Sequence, residues 1–359
     1  MDYESRFNLA WQLLEANRVD ALVVTHLPNI QYLCGFTGSA GALVMTSGRD
    51  VLFTDGRYTQ QARAEVRVAR VEIVRTSALA AAGQWLAKHA SLRRIGFEAA
   101  HLTIAERNAL TMTLRRRARL KEAAPVIERI RLVKDSDEIA RIRAACHLGV
   151  GLFGHLLEVL RPGVSESQVA GELEFSARKA GAEQMAFPTI IASGSRSALP
   201  HGRASAVAIP ARGFVVCDFG VILAGYCSDM TRTVHVGRPQ KEARRVYEAV
   251  REAQQAALDA VRPGVTVGEV DRSARKLLRK RSLARFFTHS TGHGVGLEIH
   301  EAPRIAVGQM ELLRPGMVIT IEPGVYLPGR WGVRIEDAVV VTERGCDILT
   351  PCQKDLITL

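Results

Sequence analysis

The 359-residue chain lacks any apolar run long enough to span a bilayer, so no helical membrane segment is expected. Its start, MDYESRFNLAWQLLEANRVDALVV, has neither the basic residues nor the apolar stretch of a signal peptide, which makes the cytoplasm the expected compartment. Leu9, Trp11, Leu13 and Leu14 predict an amphipathic helix there instead. No two cysteines have CxxC spacing. The six stand apart at positions 34, 146, 217, 227, 346 and 352, and a chain of this size needs no disulfide staples. Aromatics are scarce at 6%. None interleaves the basic runs Arg115, Arg116, Arg117, Arg119, Lys121 and Arg275, Lys276, Arg279, Lys280, Arg281. With a net charge of +11, those runs are what a nucleic-acid binder would carry. Without stacking residues or a recognisable module they read as solvated faces of arginine-rich helices, and no nucleic-acid partner is expected.

What is present points to two domains. Hydrophobic residues at 47% and charged residues at 24% allow sizeable cores. Residues 20–25 (DALVVT) and 94–98 (RIGFE) have strand length. GALVMTSGRDVLFTD predicts a hairpin through Ser47-Gly48-Arg49-Asp50, and VARVEIV predicts another strand. Residues 79–90 are alanine-rich and helical, and 103–120 predict a helix with a basic face. This alternation predicts a layered α/β domain over 1–124, followed by a second domain over 125–359. In the second, Asp135 or Ser136 can cap a long helix with Ile139, Ile142, Cys146, Val150 and Phe153 at helical spacing. An echo follows. Arg161-Pro162-Gly163-Val164-Ser165 and Arg262-Pro263-Gly264-Val265-Thr266 are offset by 101 residues. In each, Pro-Gly ends one helix and a hydroxyl residue can cap the next, as expected of two similar halves.

Five residues in this second part are costly to bury: Asp218, Asp229, His293, Glu322 and Glu336. Asp218 follows the apolar run Phe214-Val215-Val216-Cys217, and Asp229 comes eleven residues later. A strand, a turn through Leu223-Ala224-Gly225 and a return strand would set the two carboxylates side by side. Buried together they repel, and one must take up a proton unless a divalent cation lies between them. The plainer reading makes each a turn or capping aspartate on a surface hairpin; the apolar neighbours of Asp218 count against it. Cys217 and Cys227 flank the pair and read as small buried strand residues rather than thiolate ligands. His293 sits between glycines in Thr291-Gly292-His293-Gly294-Val295-Gly296, with His300 seven residues on. No Lys-Ser/Thr signature follows to make this a phosphate loop. Glu322 follows Val318-Ile319-Thr320-Ile321. Arg334 and Glu336 alternate with Val333 and Ile335, so both are expected on one face of a strand.

The segments VVCDFG, GYCSDMTRT, TGHGVGLEIHEAP, TIEPGVY and GVRIEDAVV resemble the metal-binding motifs of the methionine aminopeptidase, aminopeptidase P, prolidase and creatinase superfamily. The resemblance covers the whole second part. It implies an α/β N-terminal creatinase-like domain followed by an α+β pita-bread catalytic domain. Asn29-Ile30, Tyr32-Leu33, the run Gly35 to Gly41 and Thr54-Asp55-Gly56-Arg57-Tyr58 look like the N-terminal domain of short bacterial Xaa-Pro peptidases. His201 ahead of Asp218, His300 and Arg334 resemble the catalytic histidines and supporting arginine of the proline-specific branch, and a complete ligand set argues against creatinase. The resemblance implies that Asp229 and Glu336 bridge two divalent ions, with Asp218 completing one sphere and His293 with Glu322 the other. Oxygen-rich ligation makes Mn²⁺ the expected metal, with Co²⁺ or Zn²⁺ as alternatives. A hydroxide bridging the metals would attack, Glu322 would relay its proton, and His201 and His300 would hold the substrate. The expected substrates are peptides with proline at the second position, and the expected assembly is a homodimer. The rivals are an Xaa-Pro dipeptidase and, from another class, a metal-free binding protein on the same fold.

Overall fold

The computed structural model describes residues 1–115 and 117–359, and the described chain divides into two compact units, Met1–Arg131 and Leu132–Leu359. In the first unit the helices are α1 (Tyr3–Ala16), α2 (Leu27–Cys34), α3 (Thr59–Glu65), α4 (Ala78–Lys88), α5 (Ile104–Leu114) and α6 (Val126–Arg131). They surround strands β1 (Ala21–Val24), β2 (Ala42–Met45), β3 (Val51–Asp55), β4 (Arg70–Val74), β5 (Arg94–Glu98) and β6 (Arg119–Ala123). The sheet order is β4-β3-β2-β1-β5-β6. β2 and β3 form the expected hairpin, and β1, β5 and β6 run parallel. The central strands are fully buried, which is why they read as continuous apolar runs rather than alternating ones.

Two expectations in this unit are corrected. The basic helix over 103–120 ends at Leu114. Arg115 takes a positive φ of 53°, and Arg119–Ala123 form the edge strand β6. The apolar content of 103–120 suits either state, and pairing with β5 decides it. Arg116 of the basic run lies outside the described residues; Arg117, Arg119 and Lys121 are not helical. The amphipathic helix α1 is present, but Phe7, Ala10 and Leu14 form its buried side. Leu9 and Leu13 remain 45% and 39% exposed.

The second unit is built twice over. α7 (Ser136–Val159) and α8 (Glu166–Lys179) pack on a sheet ordered β12-β9-β8, where β8 is Ile190–Ser193, β9 Gly213–Phe219 and β12 Met230–Val236. Short strands β7 (Gln184–Met185), β10 (Val221–Leu223) and β11 (Tyr226–Cys227) form a separate ribbon. α9 (Lys241–Ala260) and α10 (Val267–Lys280) pack on a second sheet, ordered β14-β13-β15-β18-β19. Its strands are β13 (Gly292–Gly294), β14 (Glu301–Ile305), β15 (Val318–Ile321), β18 (Asp337–Val341) and β19 (Cys346–Ile348). β16 (Gly324–Leu327) and β17 (Trp331–Arg334) pair as a hairpin.

The echo in the sequence is an echo in structure. Ser165 and Thr266 each form a complete capping box, with Gln168 and Glu269. Gly163 N–H donates to Ile209 O and Gly264 N–H to Leu313 O, both at 2.9 Å. Each helix pair covers its own apolar cluster, one around Leu173 and Val215, the other around Val250 and Ile319. These two matched halves are the pita-bread architecture, and the first unit is the α/β domain expected ahead of it.

Candidate active site

The functional side chains come from strand ends and from breaks between strands. Asp218 is the penultimate residue of β9 and pairs in register with Thr231 on β12; Asp229 immediately precedes β12. The link between the aspartates is not a plain hairpin, because β10 and β11 peel away into the ribbon. His293 is the middle residue of β13 and Glu322 follows β15. The placement of Arg334 and Glu336 on one strand is corrected. Arg334 ends β17 and Glu336 lies in the gap before β18, in a different sheet. The change of sheet turns both side chains into one cavity despite the break.

That cavity, of about 720 Å³, is lined by His201, Asp218, Asp229, His293, His300, Glu322, Arg334 and Glu336. Asp229, His293 and Glu336 each present a ligand atom within 4.8 Å of the others. His293 Nε2 lies 3.5 Å from Asp229 Oδ2 and 3.6 Å from Glu322 Oε1. The His300 ring meets that of His293 edge-on, with centroids 4.5 Å apart. Arg334 contacts Asp218 Oδ2 through Nη2, Tyr326 Oη at 2.6 Å and Pro200 O at 3.0 Å through Nη1, and Thr231 Oγ1 at 3.1 Å through Nε. The guanidinium thus ties the segment carrying His201 to Asp218.

Burial and crowding set the protonation. Asp229 is raised well above the ordinary carboxylate range, first by burial and then by Glu336 and Asp218. Glu336 is raised by burial, then by Glu322 and Asp218. Burial pushes Glu322 up to about 8. His293 is pushed down to about 4 by burial. Burial also opposes the charge on Arg334, but Tyr326, Asp218, Glu322 and Glu336 around it hold its pKa well above the usual value.

Two observations show that divalent cations fit. Asp218 Oδ1 is buried without a hydrogen-bond partner among the described residues. His293 Nδ1 lies 3.0 Å from Gly294 O, which fixes the proton there and leaves the Nε2 lone pair facing the carboxylates of Asp229 and Glu322. A proton on either carboxyl could meet that lone pair, but separations of 3.5 and 3.6 Å are too long for such a hydrogen bond and leave room for a cation between them. Four carboxylates against one guanidinium likewise call for added positive charge.

Residues not expected from the sequence also line the cavity. His289, four residues before His293, lies 2.9 Å from Tyr326 Oη through Nε2. Burial pushes it down to about 4, and Tyr326 up to about 12. Arg203 and Arg304 stand on the lining, with Phe187, Pro188, Ile190 and Ile299 as its apolar part. His289 is visible as a second histidine beside the glycine-bracketed one; the arginines have no signal in the sequence. Cys217 and Cys227 are buried on their strands. No helix among the described residues is long and apolar enough to cross a membrane.

A matched pair of helix-and-sheet halves brings acidic and imidazole side chains together in one cavity, and the class of protein that fits this arrangement is a metallopeptidase. The chain belongs to metallopeptidase family M24, which it matches over residues 140–343, and residues 6–133 match the creatinase/prolidase N-terminal domain. Divalent metal ions are the cofactors of that family's chemistry. The chain is 39% identical over 359 residues to a peptidase of Bacillus subtilis, covering all of both chains. It is similar to the solved structure of an Xaa-Pro dipeptidase from Bacillus anthracis, with TM-score 0.96 and 36% identity over 99% of this chain and 100% of that one. It is also similar to an X-Pro aminopeptidase from Thermotoga maritima, with TM-score 0.90 and 34% identity over 97% and 100%.

Proposed function

We propose that the chain hydrolyses the bond between an N-terminal residue and a following proline, as an Xaa-Pro aminopeptidase dependent on two divalent ions. The convergence of Asp218, Asp229, His293, Glu322 and Glu336 on a cavity walled by three further histidines and Arg334 carries this reading. Those five residues would hold the ions, with Mn²⁺ first and Co²⁺ or Zn²⁺ as alternatives. Bound there, divalent ions supply Lewis acidity toward the scissile carbonyl and toward water. Glu322 accepts the proton of the attacking water and returns it to the proline nitrogen. Without metal, burial pushes Glu322 up to about 8; positive charge held beside it would favour the ionised carboxylate that accepts a proton. His201 and His300, on the cavity lining, donate to the developing oxyanion. Arg334 holds Asp218 and the Pro200–His201 backbone in fixed relation.

An Xaa-Pro bond has no N–H, so its cleavage needs a site that recognises the ring and the tertiary amide instead. The apolar lining of Phe187, Pro188, Ile190 and Ile299 suits a pyrrolidine ring. A second reading, an Xaa-Pro dipeptidase, draws support from Arg203 and Arg304. Both offer a cation to a carboxylate directly after proline. The dipeptidase name of the Bacillus anthracis structure agrees with it.

The test is a panel of Ala-Pro, Ala-Pro-Ala and Ala-Ala assayed with Mn²⁺, Co²⁺ and Zn²⁺ in turn. Cleavage of both proline peptides and not Ala-Ala is expected of the aminopeptidase. Cleavage of Ala-Pro alone establishes the dipeptidase. Asp229→Ala should abolish turnover; near-normal rates from that variant in metal-supplemented buffer would sink the assignment.

A further inference from the structure

The triplet Thr231-Arg232-Thr233 begins two residues after Asp229 and joins the two halves of the catalytic unit by side chains. Thr233 Oγ1 donates to Arg334 O at 2.8 Å and accepts from Arg334 N–H at 3.1 Å. Arg232 Nη1 donates to Glu336 O, and its Nη2 donates to Asp337 Oδ1 at 2.7 Å. Thr231 makes the contact nearest the cavity. It is fully buried, its hydroxyl lies 2.6 Å from Glu336 Oε2, and Arg334 Nε lies 3.1 Å from the same hydroxyl. Its carbonyl also accepts Glu336 N–H at 3.1 Å.

The direction of these bonds follows from counting hydrogens. A guanidinium Nε–H only donates, so the hydroxyl accepts from Arg334. A hydroxyl has one hydrogen, and the remaining partner is Glu336 Oε2, so that hydrogen goes to the carboxylate. One lone pair of Oε2 is thereby tied, and the Glu336 carboxyl plane is held against rotation. Thr231 stands on β12 and Glu336 in the gap between β17 and β18, where no ladder bonds fix the carboxylate. Removing the hydroxyl would leave Arg334 Nε and Glu336 Oε2 each without this buried partner.

We infer that Thr231 is a positioning residue of the metal centre: its hydroxyl fixes the orientation in which Glu336 faces the cations and locks that carboxylate to Arg334. This rests on the reading of Glu336 as a metal ligand. Groups that orient a ligand in this way govern metal affinity by roughly tenfold to a hundredfold.

The test is calorimetric titration of the metal-free protein with Mn²⁺, comparing wild type, Thr231→Val and Thr231→Ser. Thr231→Val keeps the shape and removes the hydroxyl; Thr231→Ser keeps the hydroxyl and removes a methyl. Thr231→Val is expected to lose about tenfold or more in Mn²⁺ affinity, and Thr231→Ser to bind within about threefold of wild type. Thr231→Ala serves the same comparison if valine is not accommodated, with thermal melts of the metal-free proteins showing which variants fold. Wild-type Mn²⁺ affinity in a folded variant without the hydroxyl overturns the inference, as does a serine variant as weak as the valine one. If the wild type takes up neither Mn²⁺, Co²⁺ nor Zn²⁺, the ligand reading itself falls.

Discussion

Glu322 and His293 face each other across 3.6 Å and are both displaced by burial, in opposite directions. The carboxyl rises from 4.5 to about 8, and the imidazole falls from 6.5 to about 4. A raised carboxyl contributes stability that is complete below 4.5 and lost as the pH climbs through 8. The depressed imidazoles of His293 and His289 act the other way, adding stability as the pH rises from about 4 to 6.5. Between pH 6.5 and 8 the imidazole contribution is already complete and Glu322 acts, with Asp229 and Glu336 raised in the same direction. Urea unfolding of the metal-free protein should therefore show stability falling from pH 6.5 to 8, by about 1.4 kcal/mol per pH unit for each proton of difference. Saturating metal should remove that slope. A flat or rising profile in the metal-free protein would contradict these protonation states. The types of these residues and their apolar flanks are legible in the sequence, because a carboxylate at the end of a Val/Ile run is itself an anomaly. The hydrogen bond that orients His293, or the one from Thr231 to Glu336, is not, because the partners stand 105 residues apart in the second case.

At the scale of elements, the two halves use the same device. Glu166, at the start of α8 and fully buried, accepts from Ser193 N–H and Oγ, Arg196 Nε, and Ser205 N–H and Oγ. Those bonds pin both ends of the segment that carries His201. Asp271 of α10, also fully buried, accepts from Arg275 Nε at 2.8 Å and Thr291 Oγ1 at 2.8 Å. Arg275 in turn holds the carbonyls of Phe287 and His289. This pins the approach to His293. Removing the carboxylate would leave the buried Ser193 N–H and hydroxyl without their acceptor, while Arg196 can turn to water, so Glu166→Ala should cost about 3 kcal/mol in urea unfolding. Glu166→Gln, which keeps the shape and part of the bonding, should cost less. A loss below about 1 kcal/mol for the alanine variant would show that the segment holds itself. The helix starts of both halves are readable from Pro-Gly and Ser or Thr. The clamps are not, because an acidic residue in the first turns of a helix has an ordinary local explanation. The same ambiguity hid β6, whose edge position is set by its neighbour β5 rather than by its own residues.

At the scale of the whole molecule, each half of the catalytic unit supplies some of the residues proposed to hold the metals. Asp218 and Asp229 belong to the first half, and His293, Glu322 and Glu336 to the second. Metals would therefore link the halves, and their removal should loosen the junction first. Hydrogen exchange with and without chelator is expected to show faster exchange in peptides spanning β9, β12, β13, β15 and the segment 331–341. Peptides from β1 to β6, which form their own core in the other unit, should not change. Equal acceleration in both units would mean that the metals stabilise more than the junction. The cavity lining carries the carboxylates of Asp218, Asp229, Glu301, Glu322 and Glu336 against the guanidiniums of Arg203, Arg304 and Arg334, so the positive net charge belongs to the rest of the molecule.

The sequence alone determined which acidic and imidazole residues stand in apolar segments, their order, the helix punctuation and the doubling of the catalytic unit. Each of these is a local cost or a local signal: a charge in an apolar run, a proline before a glycine, a hydroxyl before a helix. Tertiary structure decided everything that depends on which strands meet. It set Asp218 opposite Thr231, turned Arg334 and Glu336 into one cavity across a change of sheet, and brought His289, Arg203 and Arg304 to its wall. Contacts across a hundred residues leave no mark in the chain near either partner, because each partner there satisfies only its own backbone.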